Sequence, residues 1–478
     1  MALCKRLIAR LDVKGNRLIK GIRFEGLRVL GDPCEASLQY YKEGADELIY
    51  IDAVASLYGR NSLDEVLRRT SREVFVPITA GGGVRSVADA AALLAAGADK
   101  IAVNTAALQR PELITELAEA FGSQCVVASI QARRIGPGQW EAMAEAGRER
   151  SGRDVIDWIK QVQKFGAGEL LITSVDQDGT CSGPDTNLIY HVSQCTRIPL
   201  VVGGGFADVP QLINAFNNST ISGISLAAAL HQKKVCLEQI KHEISTSVPA
   251  ICFSNKKDKS KSRVTTLNGV IAGVIDYGIG NKRSLINALE FLGAEVLVSD
   301  SPEGLDSTHL LVLPGVGSFP EGMHQLELRG LDVYLKTSIK KGLPLLGICL
   351  GMQLLFEESE EFRITRGLGL LRGHIAKLPS IDNYGNHVTL PHVGWNQIFT
   401  QDTSIKKSKR KHINQYFVHS YAATDVDITN VQYTCTYGLH TFVAGVVHGN
   451  IAGFQFHPER SGAEGLELLS KTILEILD

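Results

Sequence analysis

The segment "AGGGV" at residues 80–84 returns as "VGGGF" at residues 202–206, and this repeat decides the fold of the first half of the chain. A second pair, "VNTAA" at 103–107 and "SLAAA" at 225–229, has the same offset, since 203 − 81 and 225 − 103 are both 122 residues. Two landmarks at one offset indicate a duplicated structural unit. The pattern therefore favours a domain built from two similar halves.

Short aliphatic runs alternate with alanine- and leucine-rich helical stretches around these landmarks. The eight predicted strands are "RLIARLD", "ELIYID", "FVPITAG", "KIAVN", "CVVASI", "ELLITS", "PLVVGGG" and "ISGISLA". Eight strands alternating with helices within about 250 residues predict an α/β fold, a (β/α)8 barrel of two half-barrel repeats. A doubly wound open sheet is the alternative, and the equal offsets argue against it.

The C-terminal ends of the predicted strands carry residues suited to binding phosphate. Active sites of such barrels lie at these ends, and glycine runs expose backbone N–H groups that can cradle phosphate oxygens. Because the glycine pattern occurs twice, half a barrel apart, we expect a ligand with a phosphate at each end. The candidate phosphate- and substrate-binding residues are Lys20, Asp52, Gly82, Gly83, Asn104, Thr105, Thr173, Asp178, Gly179, Gly204, Gly205, Ala228 and Ala229.

Four charged residues stand at the opposite ends of the strands. Arg6, Glu47, Lys100 and Glu169 each come just before an apolar run. If they are buried, these two cations and two anions need each other, because an unpaired buried charge costs several kcal/mol. A ring of charges on the surface is an equally open interpretation of the pattern.

The second half of the chain contains "LPLLGICLGMQLLFEESEE" at residues 343–361, which places a cysteine between two glycines. A short buried strand precedes Cys349, and the segment from Leu350 to Glu361 has apolar residues at helical spacing and ends in a solvated acidic run. This is the G-x-nucleophile-x-G turn with sulfur in place of oxygen. At a helix N-terminus the dipole favours a thiolate. A buried structural cysteine at a tight turn is the alternative.

Composition excludes several classes of function. The chain has 478 residues, of which 44% are hydrophobic and 21% charged, and a formal net charge of −2, so no bulk charge favours nucleic acid or an anionic membrane. Charges interrupt the N-terminal apolar run too early for a signal peptide, and no apolar run could span a bilayer. Nine cysteines without a C-x-x-C pair are expected to be reduced, and we predict a cytoplasmic protein. The thirteen histidines show no metal-ligand spacing, so no metal or cofactor is predicted.

A basic, polar stretch separates the two halves. "SNKKDKSKSRVTTLNG" at residues 254–269 is poor in large apolar residues and is typical of a solvated linker. We therefore predict a barrel at residues 1–250, a linker at 251–268 and a second domain at 269–478.

The motifs of both halves resemble imidazole glycerol phosphate synthase. The first half, with "LDVKGNRLIKG", "AGGGV", "FGSQ", "GAGELLITSVDQDGT" and "SGPD", is similar to the cyclase subunit. The second, with "IDYGIGN", "LPGVGSF", "GICLGMQLLFEESEE", "LPHVGWN", "YFVHSY" and "GFQFHPE", is similar to the glutaminase subunit, a class I glutamine amidotransferase with a flavodoxin-like open α/β fold. The resemblance implies that one chain replaces the usual heterodimer.

The resemblance implies a glutaminase based on Cys349, His457 and Glu459. Positions i and i+2 of an extended chain point the same way, so Glu459 can orient His457, the general base and acid. The implied oxyanion hole consists of backbone around Val316, Gly317 and Leu350. The implied glutamine-binding residues are Gln353, Ser420 and Tyr421.

The resemblance also implies that ammonia travels through the barrel to a second site. Arg6, Glu47, Lys100 and Glu169 match the gate of the family at the barrel floor. Asp99 matches a residue that docks onto a cation just after the catalytic "HPE", here Arg460, with Trp395 expected near the interface. The implied substrates are glutamine and a bisphosphorylated, ribonucleotide-like molecule.

One residue departs from the pattern of the cyclase. The family uses two aspartates at the ends of strands one and five; the first is Asp12, but Gln131 occupies the second position. Glutamine can form hydrogen bonds but cannot exchange a proton in the working pH range. Loss of one acid–base partner costs about 10²–10⁴ in rate.

Three functions stay open. The first is the bifunctional enzyme of histidine biosynthesis, with slow cyclisation or a compensating group such as Asp178. The second is a glutaminase with an ammonia channel that feeds a sugar amidotransferase of surface-polysaccharide biosynthesis. The third is a barrel without catalysis that binds a phosphorylated ligand and regulates the glutaminase.

Overall fold

Residues 4–55, 63–245, 265–401 and 413–478 are described by a computed structural model. The chain divides into two compact units: the first spans residues 3–253 and takes in 389–394, and the second comprises the rest. Most of the predicted linker lies outside the described residues, so the domain boundaries stay a prediction.

The first unit is a closed barrel. Its strands are β1 (Arg6–Lys14), β2 (Arg17–Ile22), β3 (Glu25–Gly31), β4 (Glu47–Asp52), β5 (Ile78–Gly81), β6 (Lys100–Val103), β7 (Val126–Gly136), β8 (Gln139–Ala144), β9 (Glu149–Asp154), β10 (Glu169–Ser174), β11 (Leu200–Gly203) and β12 (Ile221–Leu226). Strands β1, β4, β5, β6, β7, β10, β11 and β12 are parallel neighbours, and β7 pairs with β10 to close the ring. The predicted eight-stranded barrel is confirmed, and the open sheet is wrong.

The interior of the barrel is arranged in layers, because every second residue of a strand points inward. The first layer is the charged set of Arg6, Glu47, Lys100 and Glu169. The next inward residues are aliphatic and form one buried cluster: Ile8, Ile49, Ala102, Val127, Leu171 and Val201. Two residues further along their strands stand Arg10 and Thr173, which are hydrogen-bonded to each other. Polarity therefore changes twice along the axis of the barrel.

Two antiparallel hairpins extend the C-terminal ends of the barrel strands. Strand β1 continues into β2 and β3, and β7 continues into β8 and β9. The repeat in the sequence does not predict these hairpins. Both carry buried residues toward the rim, including Lys20 and Phe24 in the first and Met143 in the second.

The second unit contains an open mixed sheet. Its strands are β13 (Ile271–Ile275), β14 (Glu295–Ser299), β15 (Leu310–Leu313), β16 (Leu345–Ile348), β17 (Glu358–Ser359), β18 (Thr365–Arg366), β19 (His374–Lys377), β20 (His392–Thr400), β21 (Ile413–His419), β22 (Tyr421–Thr424), β23 (Val431–Tyr437), β24 (His440–His448) and β25 (Ile451–Phe454). The large sheet has the order β14-β13-β15-β16-β25-β24-β23-β20-β21, and β18-β17-β19-β22 form a small one. The first five strands of that order, β14, β13, β15, β16 and β25, run parallel to one another, as in an open α/β fold.

Helices cover the strands in both units. In the barrel they are Pro33–Lys42, Leu63–Thr70, Val87–Ala96, Thr105–Gln109, Glu112–Phe121, Val155–Lys164, Thr186–Cys195, Val209–Phe216, Ala228–His231 and Leu237–Ile244. In the second unit they are Arg283–Phe291, Phe319–Leu328, Leu331–Lys340, Leu350–Gln353 and Gly462–Leu477. Several begin at a side-chain cap, such as Asp32, whose carboxylate accepts from the N–H groups of Cys34 and Glu35.

The helix after Cys349 is much shorter than predicted. It ends at Gln353, and Glu358–Ser359 is a strand rather than the end of a helix. The carbonyl groups of Leu354 and Leu355 accept instead from the backbone of residues 368, 370 and 371, so the helix cannot continue.

Two further expectations concern membranes and cysteines. Within the described ranges, no helix has both the length and the apolar character needed to cross a membrane. Cys34, Cys125, Cys181, Cys195, Cys236, Cys349 and Cys435 are free thiols. Cys4 is disulfide-bonded, so the expectation that all cysteines are reduced is wrong for this residue.

Candidate functional site

Cys349 lies at a sharp turn between β16 and the helix Leu350–Gln353. Its φ is 51°, a left-handed conformation, and its N–H donates to the carbonyl of Phe454 at 2.6 Å. A Cβ on Gly351 would lie 1.9 Å from the carbonyl oxygen of Leu313, so only glycine fits there. The turn is thus clamped between two neighbouring strands, with the thiol buried at its apex.

His457 follows β25 and forms a buried pair with Glu459. Its Nδ1 is 2.7 Å from Oε1 of Glu459. Burial alone would lower the pKa of His457, but the charges of Glu459 and Cys349 outweigh it and raise this pKa well above the ordinary value. The bond from the Cys349 N–H to the carbonyl of Phe454, three residues before His457, brings the turn of Cys349 beside this segment. Nε2 of His457 forms no well-aligned hydrogen bond with any of the described residues.

The loop "PGVG" packs against the turn that carries Cys349. A Cβ on Gly315 would lie 2.5 Å from Cβ of Leu350 and 2.6 Å from the backbone nitrogen of Gly351. Tyr277 donates its hydroxyl to the carbonyl of Pro314 at 2.6 Å, which fixes the loop from the other side. The predicted oxyanion residues Val316 and Gly317 follow Gly315 in this loop, and Leu350 lies on the turn against which Gly315 packs.

The three residues predicted to bind glutamine surround the end of β21. Gln353 donates Nε2 to the carbonyl of Tyr421 at 2.9 Å, and Ser420 accepts from the N–H of Leu378 at 2.9 Å. Burial and, after it, the nearby charges of Glu361 and Glu360 raise the pKa of Tyr421 to about 12.

Two residues of this site were missed by sequence reasoning. Gln455 is fully buried; its Nε2 lies 3.7 Å from the sulfur of Cys349, and its Oε1 accepts from Gln353 at 3.0 Å. Glu361 accepts from the N–H of Phe319 at 2.7 Å, and burial raises its pKa to about 7. The prediction of a solvated acidic run is wrong for Glu361, because the short helix turns this carboxylate inward.

The rim of the barrel contains a cavity of about 220 Å³. Predicted residues from several strands line it: Asp12, Asp52, Gly82, Gly83, Asn104, Thr105 and Gln131. Both Gln131 Oε1 and Asn104 Oδ1 are buried without a hydrogen-bond partner within the described residues. A cavity with two unsatisfied acceptor atoms suits a ligand that brings N–H or O–H donors.

The second glycine run borders a much smaller cavity, of about 20 Å³. Asp178, Gly179, Gly204, Gly205 and Ala228 line it. Ala229, also predicted, is buried but does not line this cavity. The two glycine runs were predicted from the sequence to form similar phosphate cradles. The cavities beside these two glycine cradles differ in volume.

Asp12 is the centre of a buried ionic network. Lys20 donates to Asp12 at 2.7 Å and to Asp178 at 2.9 and 3.0 Å, and Arg10 donates Nε to Asp12 at 2.9 Å. Arg10 also donates Nη1 to Thr173 at 2.9 Å. Burial would raise the pKa of Asp12, but the two cations outweigh it and hold this pKa far below the ordinary value. Arg10 was not predicted, because its position inside a strand gave no signal.

The four charged residues at the opposite end form a closed, buried ring. Arg6 contacts Glu47 at 2.7 Å and also contacts Glu169. Lys100 contacts the same two carboxylates at 2.7 and 2.5 Å. Each charge has two opposite neighbours, so the alternative of an exposed surface ring is wrong.

The three residues predicted for the domain interface each make contacts within their own part of the chain. Asp99 accepts from the N–H of Ile78 at 2.8 Å. Arg460 is buried in the turn Pro458–Arg460, and the Trp395 ring lies 6.2 Å from that of Tyr416. Among the described residues, no group of His, Cys, Asp and Glu side chains could hold a metal ion.

Comparison with known proteins divides the chain in the same order. Residues 6–236 match the family "Histidine biosynthesis protein", and residues 273–476 match "Glutamine amidotransferase class-I". Imidazole glycerol phosphate synthase subunit HisF of Legionella pneumophila is 56% identical over 206 residues, which is 43% of this chain and 97% of the relative. The subunits HisF of Streptococcus sanguinis and Streptococcus gordonii are each 41% identical over 239 residues, 50% of this chain and 95% of each relative.

Proposed function

Because the chain belongs to the family of imidazole glycerol phosphate synthase subunit HisF and carries a class-I glutamine amidotransferase domain, we propose that it is a bifunctional enzyme of imidazole glycerol phosphate formation. Glutaminase and cyclase domains are fused in one enzyme chain. The proposed substrates are glutamine and the bisphosphorylated ribulosyl aminoimidazole carboxamide ribotide. The products are glutamate, imidazole glycerol phosphate and aminoimidazole carboxamide ribotide.

The observation that carries the glutaminase step is the His457–Glu459 pair beside Cys349. The proton of the thiol passes to His457, and the sulfur attacks the carboxamide carbon of glutamine. Backbone N–H groups around Val316 and Leu350 hold the oxyanion. His457 returns the proton to the leaving nitrogen, the C–N bond breaks, and water then hydrolyses the thioester to glutamate.

The layered interior of the barrel supports the transfer of ammonia. The charged ring would act as a gate, and the aliphatic layer of Ile8, Ile49 and their neighbours offers no hydrogen-bonding group that could hold a charged ammonium ion. Neutral ammonia, a small molecule without a charge, passes such a layer at lower cost. At the rim, the cavity beside Asp12 and Gln131 is the proposed site of cyclisation.

A second candidate function is favoured by the chemistry of this cavity. Gln131 cannot exchange a proton, and Arg10 and Lys20 keep Asp12 ionised. Both features weaken acid–base catalysis. They suit a barrel that passes ammonia on to a different acceptor, such as a sugar amidotransferase of surface-polysaccharide biosynthesis.

The test separates the two steps. With ammonium salt and the bisphosphorylated substrate, imidazole formation is measured for the native protein and for Gln131→Asp. Under the first proposal the native rate lies within about tenfold of the substituted one. A silent native barrel that gains about 10²-fold or more on substitution would favour the second candidate. Cys349→Ala should abolish glutamine-driven turnover and leave the ammonium-driven rate unchanged.

A further inference from the structure

Arg10 occupies an unusual place, since its buried side chain lines both cavities of the barrel rim. Its guanidinium bridges Asp12 and Thr173, on strands β1 and β10, and lies 5.6 Å from the centre of the Phe24 ring. It is thus the side chain through which the two glycine cradles can influence each other.

The charges around the second cradle require a cation for any phosphate that binds there. Asp178 lines this cavity, and its carboxylate would repel a phosphate dianion. Lys20 offsets that charge but is bonded to both Asp178 and Asp12. Among the described residues that line the cavity, Arg10 is the only cation.

The small volume of the second cradle also indicates a role for Arg10, because a phosphate fits there only if a side chain moves. About 20 Å³ accommodates one water-sized group, not a phosphate. Gly204, Gly205 and Ala228 in its wall have at most a methyl side chain. Backbone hydrogen bonds hold two of them, because the carbonyl of Gly205 accepts from Gly183 and that of Ala228 from Gln232. A long arginine side chain can move aside by rotation about its own bonds, without disturbing the barrel.

We propose that Arg10 binds the second phosphate of the barrel's ligand, exchanging its bonds to Asp12 and Thr173 for bonds to phosphate oxygens. This inference rests on the proposed bisphosphorylated substrate. A guanidinium suits this exchange, because it offers parallel N–H donors to two oxygens of one phosphate. The exchange also removes one of the two cations that hold Asp12 ionised, so ligand binding increases the proton affinity of Asp12 where it is needed.

The two products of the proposed reaction provide matched probes, since each carries one of the two phosphates of the substrate. Dissociation constants for substrate, imidazole glycerol phosphate and aminoimidazole carboxamide ribotide are measured by calorimetry on the full chain and on Arg10→Gln. We expect Arg10→Gln to weaken the substrate and one product by about 10- to 100-fold. The other product should change by no more than about twofold.

The control is Arg153→Gln, which removes one positive charge from a side chain that stacks on Trp158 and lines neither cavity. It should leave all three dissociation constants within about twofold. Equal losses for both products in Arg10→Gln, no loss, or tighter binding of the substrate would each overturn the role of Arg10. A native protein that binds none of the three would overturn the proposed substrate together with this inference.

Discussion

The proposed nucleophile, Cys349, is held in a strained backbone conformation. A φ of 51° costs a non-glycine residue about 1–3 kcal/mol, and such strain persists where surrounding contacts determine it. Here the bond to Phe454 and the close approach of Gly351 to Leu313 do so. The strained turn thus holds the thiol of Cys349 buried, within reach of Gln455 Nε2.

The buried amide of Gln455 gives a first prediction at the scale of single residues. Its Nε2 donates toward the sulfur, and an N–H donor stabilises a thiolate more than a thiol. We expect Gln455→Leu to lower kcat for glutamine hydrolysis by about tenfold with a smaller change in KM. The pH profile of Cys349 alkylation by iodoacetamide should shift to higher pH, because the thiol loses a donor that stabilises the thiolate.

Gln455→Glu serves as the comparison for this prediction, because it keeps the shape and adds a negative charge beside the sulfur. It should shift the alkylation profile further than Gln455→Leu does. If both variants lose activity while the alkylation profile stays at the native pH, Gln455 has a packing role only.

Residues differ in how much the sequence alone reveals about them. The spacing of His457 and Glu459 predicts a pair, and the structure has them bonded. The extended backbone on which that prediction rested is wrong, because Pro458–Arg460 forms a 3₁₀ turn. Gln455 and Glu361 gave no such signal, because their partners Cys349 and Phe319 are distant in sequence and reach them only through the fold. Arg10 stands two residues from its partner Asp12, but its position inside a strand gave no signal. Gln131 was noticed only against a family pattern, and its unsatisfied oxygen is visible only in the structure.

The strands were predictable as elements because each is a short aliphatic run at a repeated position. The eight barrel strands follow from the pattern, since parallel strands are buried on both faces. The hairpins β2–β3 and β8–β9 fall outside the repeat and were missed. The helix after Cys349 was overestimated, because helical periodicity cannot reveal that backbone from residues 368–371 takes its carbonyl groups.

The turn between β16 and its helix gives a prediction at the scale of elements. A methyl group on Gly351 meets the Leu313 carbonyl of the neighbouring strand, so Gly351→Ala must push the turn away from β15. We expect a loss of stability of about 3 kcal/mol and loss of glutaminase activity, while ammonium-driven activity of the barrel persists. Thermal unfolding and both activities are measured.

Gly330→Ala is the matched control. Gly330 has a φ of 67° but open space around its Cβ position, so alanine adds backbone strain without a collision. Stability should fall by about 1 kcal/mol with glutaminase activity retained. Full glutaminase activity in Gly351→Ala would show that the turn tolerates displacement.

At the scale of the whole molecule, the predicted docking residue Asp99 also has a role within the barrel. Asp99 exchanges two hydrogen bonds with the backbone of Ile78, and Asp46 does the same with Leu7. The two aspartates thus hold equivalent strand starts. A test of docking by charge reversal would disturb this local role as well.

Asp99→Asn separates the two roles, because an amide oxygen still accepts from Ile78 while the charge is gone. If Asp99 couples the two activities through Arg460, glutamine-driven product formation should fall about tenfold with ammonium-driven formation unchanged. Combining Asp99→Asn with Arg460→Gln should add little to the single effect. The control is Asp46→Asn, because Asp46 has the same role at its strand but pairs with Lys241. Equal glutamine-driven rates in Asp99→Asn and the native protein would contradict the coupling.

In the proposed transfer, the aliphatic layer of the barrel also selects the protonation state of the nitrogen that crosses it. Six hydrocarbon side chains lie between the salt-bridged charged ring and Arg10, and none of them can solvate a cation. Under the proposed transfer, nitrogen that reaches the rim above them has a free lone pair. It can attack carbon at once, without first surrendering a proton to a base, so a rim with an amide in place of one carboxylate has one fewer task to perform.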